Sequence, residues 1–243
     1  MVFDLTLFLL FLKCFKTFIL GFGLKRMRKL LLTLIAASTI ALSLSACDKN
    51  SNTNSNSNSA VAPPVQKGVR PQPDSEVAVI DTDFGKIVIE LYPNVAPKQV
   101  ERFKLLTKEG FYNGVTFHRV NPELGIIQGG DPNSKDADPN NDGMGESKYP
   151  DLPAEFSDIP YEAGTVGAAR TNDPNTANCQ FYITLKRQPA FDQRYTVFGK
   201  VIQGLNNASV IAGAPTSSTN KERPDPSVVI KSITLEPRSN YVK

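Results

Sequence analysis

One arginine stands in an otherwise apolar stretch of the sequence, close to a glutamine and two glycines. The stretch is FHRV at residues 117–120, and IIQGGD follows at residues 126–131. A guanidinium stays protonated at any working pH and presents five N–H donors in a rigid fork. Arg119 is therefore a candidate hydrogen-bond donor to an electron-rich atom of a substrate.

The alternation of side chains along a strand decides which residues of these segments can act together. Successive side chains point to opposite faces of a sheet, so Arg119 and His118, the single histidine of the chain, cannot form a local acid–base pair. Two pairs of residues share a face within their strand: Ile126 with Gln128, and Gln180 with Tyr182. We interpret His118 as a structural residue.

Short strand-like segments dominate the chain after residue 75. Residues 77–92 show the pattern of a β-hairpin with a turn at Asp83-Phe84-Gly85. A helix is predicted from Pro97 to the residue before Gly110, with Val100, Phe103 and Leu106 as its buried stripe, and a second one over 205–212. The remaining predicted strands are 115–120, 126–129, 166–171, 180–184, 195–201 and 228–236. This composition predicts a mainly β fold, a closed antiparallel eight-stranded barrel capped by two α-helices.

Four segments in order resemble the cyclophilins, the barrel-fold peptidyl-prolyl cis-trans isomerases. They are FHRV with IIQGGD, ARTNDPNTANCQFYI (169–183), FDQRYTVFGKV (191–201), and the predicted hairpin with the helix that follows it. The resemblance extends over nearly all of residues 76–236. It implies an enzyme that rotates X–Pro peptide bonds.

The reaction implied by this resemblance breaks no bond. An X–Pro bond rotates unaided over tens to hundreds of seconds, against a barrier of ~18–20 kcal/mol that amide resonance creates. In the twisted amide the prolyl nitrogen regains a lone pair, and a donor that meets it there lowers the barrier. The resemblance gives this role to Arg119. We expect no cofactor and no metal, because the reaction requires no nucleophile or proton relay.

The resemblance also implies a groove that binds the peptide on either side of the proline. The expected substrate-binding residues are Leu124, Ile126, Gln128, Arg170, Thr171, Asn172, Gln180, Tyr182, Phe191 and Tyr195. The apolar members would form a slot for the proline ring, Gln128 would bond the peptide backbone, and residues 170–172 would offer an edge to the extended peptide before the proline. The alternative is that Arg119 is a surface arginine and that the aromatic residues belong to the core.

Two departures from the family pattern affect this groove. The segment RVNPELGIIQ is longer than usual and lacks the usual phenylalanine, so Leu124 or the insertion itself must close one side of the slot. The chain contains no tryptophan, and the family's tryptophan position aligns with Ala190, while Tyr195 stands where many members have histidine. We therefore expect weak cyclosporin binding, which a tight complex in a direct titration would contradict.

A long acidic loop, residues 133–156, offers a second kind of chemistry. Asp138-x-Asn140-x-Asp142-Gly143 matches the opening of an EF-hand calcium loop. Position twelve of that pattern is Tyr149 instead of glutamate, and flanking helices are not predicted. We expect a solvated polar loop without a metal, with calcium binding as the alternative.

The N-terminal third has the composition of a targeting segment. Residues 27–46 contain positive charges, an apolar run and small residues, as a secretory signal peptide does. The end of this segment, Leu44-Ser45-Ala46-Cys47, resembles the lipobox of bacterial lipoproteins, in which the cysteine is lipidated. A plain transmembrane anchor is the alternative, although the apolar run of about 17 residues is at the short end for a span.

Residues 1–26 precede a signal that is complete without them. We interpret Met27 as the true start of translation and residues 1–26 as a wrongly assigned N-terminal extension. The alternative is a longer N-terminus that is retained in the membrane. Cys179 is then the single cysteine of the mature domain besides Cys47, so an intramolecular disulfide within that domain is not expected.

Residues 47–75 are rich in Asn, Ser and Pro and are predicted to form a flexible tether to a domain at 76–243. About 28 residues reach roughly 30 Å on average. Asp48 resembles the residue that retains some lipoproteins in the inner membrane. We expect a monomer in the bacterial cell envelope, facing the periplasm and acting on proline-containing polypeptides there. The net charge of +3 without a basic stripe indicates no nucleic-acid partner.

Overall fold

The computed structural model describes residues 63–242, in which strands predominate. The strands are β1 Val65–Gln66, β2 Glu76–Thr82, β3 Gly85–Leu91, β4 Arg119–Asn121, β5 Ile126–Gly129, β6 Phe156–Ser157, β7 Thr165–Ala168, β8 Phe181–Thr184, β9 Val197–Gln203 and β10 Ile230–Pro237. The α-helices are α1 Pro97–Lys108 and α2 Leu205–Ala212. The predicted extension, signal peptide and lipidated Cys47, and the tether up to residue 62, lie outside the described residues.

Eight of the strands form one antiparallel sheet in the order β10-β2-β3-β9-β7-β8-β5-β4. The sheet curls until the segment before β4 meets the start of β10. There the amides of Gly114 and Phe117 donate to the carbonyls of Ile230 and Val228, each at 2.9 Å, and the amide of Ile230 donates to Val115 O at 2.8 Å. The predicted mainly β fold with eight antiparallel strands and two α-helices is confirmed.

Helix α1 packs its predicted stripe against the curled sheet. Val100, Phe103 and Leu106 are buried, and the ring of Phe103 lies 5.2 Å from that of Tyr112 and 5.6 Å from that of Phe181, between centroids. Burial of such aromatic rings is a large stabilising term. Neither α1 nor α2, the two α-helices within residues 63–242, has the length and apolar character needed to cross a membrane.

Residues 63–75, here called the N-terminal arm, lie against the sheet domain. Within the arm, β1 pairs in parallel with β6, Gln66 Nε2 donates to Val95 O at 2.8 Å, and the amide of Gly68 donates to Asp158 Oδ2 at 2.7 Å. Val69 packs against a buried apolar cluster of the domain. The folded part of the described chain therefore begins before residue 76, earlier than the predicted end of the tether.

The acidic loop is organised around one buried carboxylate. Asp131 is fully buried and accepts hydrogen bonds from the amides of Asn133, at 2.8 Å, and Gly143. The side chain of Asp138 accepts a hydrogen bond from the backbone amide of Asn140 in the same loop, at 3.0 Å. Within residues 63–242, no group of three or more His, Cys, Asp or Glu side chains is arranged to hold a metal ion.

Candidate active site

The cross-strand register brings the predicted catalytic arginine into a row with three other residues. Arg119 on β4 lies opposite Gln128 on β5, Gln128 lies opposite Tyr182 on β8, and Tyr182 lies opposite Gly167 on β7. Residues directly opposite one another in neighbouring strands place their side chains on the same face. The sheet therefore aligns Arg119, Gln128 and Tyr182 along one surface.

Gly167 provides the space in which the ring of Tyr182 lies. A Cβ atom at Gly167 would be 2.5 Å from both Tyr182 Cζ and the hydroxyl oxygen of Tyr161, closer than real contacts allow. The two tyrosine rings stack with centroids 5.9 Å apart and planes at 20°. Phe191 and Tyr195 stand edge-on to Tyr182, at 5.6 Å and 5.9 Å between ring centroids. These four rings form one continuous aromatic cluster, here called the aromatic floor.

A cavity of about 330 Å³, here called the slot, opens over this aromatic floor. It is lined by Arg119, Leu124, Ile126, Gln128, Ala169, Arg170, Tyr182, Phe191 and Tyr195. All of these except Ala169 were predicted as site residues from the sequence. Its lining combines apolar side chains with the polar groups of Arg119, Gln128 and Arg170, a mixture that can both hold and orient a small ligand.

The longer loop after Arg119 closes one side of the slot. The amide of Leu124 donates to Asn121 Oδ1 at 2.6 Å, and the carbonyl of Leu124 accepts from the side-chain amide of Gln188. Leu124 consequently lines the slot as expected. Asn121 and Gln188 were not predicted, because single amide side chains in loops give no sequence signal of their own.

A second cavity of about 350 Å³ adjoins the slot, and Gln128, Ala169 and Arg170 line both. Thr171 and Gln180 line this second cavity. Gln128 Nε2 donates to Gln180 Oε1 at 3.1 Å, so the two glutamines form a polar ridge between the cavities. The two cavities therefore adjoin each other at these shared residues, and peptide binding along them stays a prediction.

Residues 170–172 were predicted to offer backbone groups to the peptide, but two of their carbonyl groups accept hydrogen bonds from the side chain of Arg170. Arg170 folds back over this segment, and its Nη1 donates to the carbonyl oxygens of Thr171, at 2.7 Å, and Asn172, at 3.3 Å. Asn172 lines neither cavity. The guanidinium carbon of Arg170 lies 4.3 Å from the ring centroid of Tyr195, a cation–π contact, so Arg170 stiffens the wall of the slot.

Arg119 is held by a residue that the sequence did not indicate. Its Nε donates to Glu222 Oε2 at 2.5 Å, its Nη2 lies 3.5 Å from Glu222 Oε1, and its Nη1 lies 3.5 Å from Gln128 Oε1. The hydrogen bond from Arg119 lowers the pKa of the Glu222 carboxyl. Glu222 lies in a polar loop far along the chain, and no periodic pattern there points to a partner.

Two other polar residues behave as structural groups. His118 is buried and lines neither cavity, and burial lowers its pKa to about 4, so the ring is neutral near pH 7. Burial likewise raises the pKa of the Cys179 thiol to about 12, which leaves it protonated and unreactive. Ala190, at the expected tryptophan position, is exposed and lies outside the slot.

The chain is similar to known proteins over most of the described residues. Residues 77–235 match the family described as cyclophilin type peptidyl-prolyl cis-trans isomerase/CLD. A probable peptidyl-prolyl cis-trans isomerase of Brucella suis is 41% identical over 166 residues, covering 66% of this chain and 84% of the relative. The peptidyl-prolyl cis-trans isomerase ppi1 of Schizosaccharomyces pombe is 38% identical over 159 residues, covering 64% of this chain and 97% of the relative.

A solved structure is similar over the same region. It is a cyclophilin type peptidyl-prolyl cis-trans isomerase of Cryptosporidium parvum, determined in the presence of the dipeptide Ala-Pro. The TM-score is 0.59 and the identity 27%, covering 66% of this chain and 98% of the other. The curled sheet, the row led by Arg119 and these similarities together show that the chain belongs to the cyclophilin-type peptidyl-prolyl cis-trans isomerases.

Proposed function

We propose that this isomerase is a lipid-anchored protein of the bacterial cell envelope that rotates X–Pro bonds in polypeptides outside the cytoplasm. The observation that carries the catalytic part is the position of Arg119 in the lining of a slot that also contains Ile126, Tyr182 and Phe191. The cellular part rests on the signal and lipobox pattern that ends at Cys47.

The slot suits the ring of a proline residue, and the rim suits the peptide bond that precedes it. Ile126, Tyr182 and Phe191 offer apolar surface to the ring, while Gln128 on the neighbouring strand offers an amide to the substrate backbone. Arg119 stands opposite Gln128, so its guanidinium can meet the amide that rotates.

The guanidinium acts on the state in which the amide is twisted. In the planar cis or trans form the prolyl nitrogen shares its lone pair with the carbonyl and is a poor acceptor. When the bond is half rotated, the nitrogen becomes pyramidal and accepts a hydrogen bond from Arg119. An interaction that is stronger in the transition state than in either ground state raises the rate, and each 1.36 kcal/mol of it gives about a tenfold acceleration.

A protease-coupled isomerisation assay on the wild-type chain and on Arg119→Ala tests the catalytic part. We expect the variant to lose about 100-fold in kcat/KM, the usual effect of removing one pre-organised donor, while its affinity for the peptide persists. Arg238→Ala is the matched control, because that arginine pairs with Glu90 at 3.2 Å and lies outside both cavities. Equal rates for wild type and Arg119→Ala would favour the alternative function, a proline-peptide binding module with little turnover.

Metabolic labelling with palmitate tests the lipid anchor. In a bacterial host we expect the wild-type chain to incorporate label and to sediment with membranes, and Cys47→Ser to lose both properties. Cys14→Ser is the control, since a start at Met27 removes Cys14 from the protein. Labelling of Cys47→Ser at the wild-type level would refute the anchor without affecting the assignment of Arg119.

A further inference from the structure

We propose that Glu222 is a positioning residue for this isomerase, one that fixes the guanidinium of Arg119 with its remaining donors toward the slot. The inference rests on the proposed catalytic role of Arg119. It assigns a function to a residue of the loop between α2 and β10, a loop far from the motifs that identify the family.

The contact between the two side chains leaves part of the arginine free for substrate. The Glu222 carboxylate accepts from Nε at 2.5 Å and lies 3.5 Å from Nη2, so it occupies one edge of the guanidinium fork. Nη1 is on the other side, 3.5 Å from Gln128 Oε1. A guanidinium carries five N–H groups in one plane. Engaging one edge therefore sets the direction of the others.

Glu222 is itself held in place by the strand that carries Arg119. The amide of Val120 donates to the backbone carbonyl of Glu222 at 2.6 Å, and the side-chain amide of Asn121 donates to Glu222 Oε1. Asn121 Oδ1 also accepts a hydrogen bond from the amide of Leu124, and Leu124 lines one side of the slot. One short network thus connects the carboxylate, the arginine and the slot wall.

A fixed arginine has a catalytic advantage over a mobile one. An arginine side chain has many rotamers, and ordering it during the reaction would cost entropy. A donor that is already oriented when the amide begins to twist requires no such reorganisation.

The same geometry predicts that Glu222 matters little for stability. The side chains of Arg119 and Glu222 are 39% and 37% exposed, and ion pairs with this degree of exposure contribute little to folding. A purely structural ion pair would show an effect on unfolding at least as large as its effect on the rate. A positioning residue shows the reverse.

The test compares Glu222→Ala and Glu222→Gln with Asp83→Asn in the full chain. Asp83 is a control for loss of an exposed carboxylate, since it pairs with Lys231 at 2.6 Å away from both cavities. We expect Glu222→Ala to lower kcat about tenfold, as misoriented catalytic groups do, with KM and the melting temperature nearly unchanged. Glu222→Gln keeps an acceptor oxygen and should retain more of the rate. Asp83→Asn should behave as wild type.

A second measurement does not depend on turnover. The Nε–Hε resonance of Arg119 in an NMR spectrum should shift and exchange faster with water in Glu222→Ala, and stay unchanged in Asp83→Asn. A normal kcat for Glu222→Ala, or an Arg119 resonance identical to wild type, would overturn the proposal. If the wild-type chain itself shows no isomerase activity, the proposed function fails, and the resonance alone decides whether Glu222 positions Arg119.

Discussion

Arg119, to which we assign catalysis, lies between two polar side chains. Its two nearest polar partners, Gln128 and Glu222, are an uncharged amide and a carboxylate whose pKa is lowered by Arg119. These two partners contact different nitrogens of the guanidinium. The proposed rotation of an X–Pro bond requires a hydrogen-bond donor at this position and no proton transfer.

The neighbours of Arg119 show which contacts the sequence can predict and which it cannot, and His118 is of the first kind. Side-chain alternation along the strand separates it from Arg119 on sequence evidence, and the structure buries it. The sequence could not show that Glu222 lies beside Arg119, because the two are far apart in the chain and Glu222 belongs to a loop without periodicity. Contacts of this kind depend on the tertiary fold.

The buried histidine makes folding stability depend on pH. Burial lowers the pKa of His118 from 6.5 to about 4, so the unfolded chain binds the proton more tightly than the folded one. The free energy of unfolding should therefore fall as pH decreases from about 6.5 to about 4, by roughly 3 kcal/mol from this group. Urea denaturation of wild type and His118→Phe at several pH values measures the difference.

In His118→Phe the slope of stability against pH across this window should be smaller than in wild type. The carboxylates of the chain remain in both proteins and serve as an internal reference for other titrations. An identical slope in the two proteins would show that His118 is not kept neutral by burial.

At the scale of elements, the site is a product of strand register. The period-two pattern predicted that Gln128 shares a face with Ile126, and Tyr182 with Gln180. It could not predict that Gln128 lies between Arg119 and Tyr182, because register depends on pairing between distant strands. The resemblance to the cyclophilins provided that grouping, and in the structure Arg119, Gln128 and Tyr182 line one slot.

Gly167 on β7 provides space for the ring of Tyr182, and no sequence pattern predicted this role. Gly167→Ala should destabilise the fold by roughly 1–3 kcal/mol, the usual range for overpacking, because the added Cβ would be 2.5 Å from Tyr182 Cζ. The added Cβ would also displace the Tyr182 ring in the slot, and KM for proline peptides should therefore rise. Urea denaturation and the isomerase assay give the two values.

Gly213→Ala is the matched control for this substitution. A Cβ there would meet its nearest atom, Val210 O, at 3.5 Å, an ordinary contact, so stability should change little. If Gly167→Ala and Gly213→Ala have equal denaturation midpoints, the slot does not depend on the space above Gly167.

At the scale of the whole molecule, the N-terminal arm changes the expected division of the chain. Its composition predicted a tether as far as residue 75, because a segment rich in Asn, Ser and Pro buries too little apolar surface to offset the cost of ordering. The structure attaches it with backbone and side-chain hydrogen bonds, including Asp158 N to Gln66 O at 2.9 Å and Gln72 N to Asn94 Oδ1 at 2.8 Å. Pairing with a distant strand such as β6 leaves no local signal in a two-residue segment.

Removing the arm should weaken the domain. Compared with a chain that starts at residue 63, a chain that starts at residue 76 loses several hydrogen bonds and the packing of Val69. Its free energy of unfolding should be at least about 2 kcal/mol lower, since a net hydrogen bond contributes about 0.5–1.5 kcal/mol. Thermal and urea denaturation of both chains measure this, and equal midpoints would show that the arm is a passive tether.

A crystal structure of the chain with bound Ala-Pro tests the central claim most directly. The account predicts the proline ring in the slot between Ile126, Tyr182 and Phe191, with an N–H of Arg119 directed at the prolyl amide and Glu222 still on the opposite edge of the guanidinium. A dipeptide bound elsewhere, or an Arg119 side chain turned away from the amide while the proline occupies the slot, would contradict it.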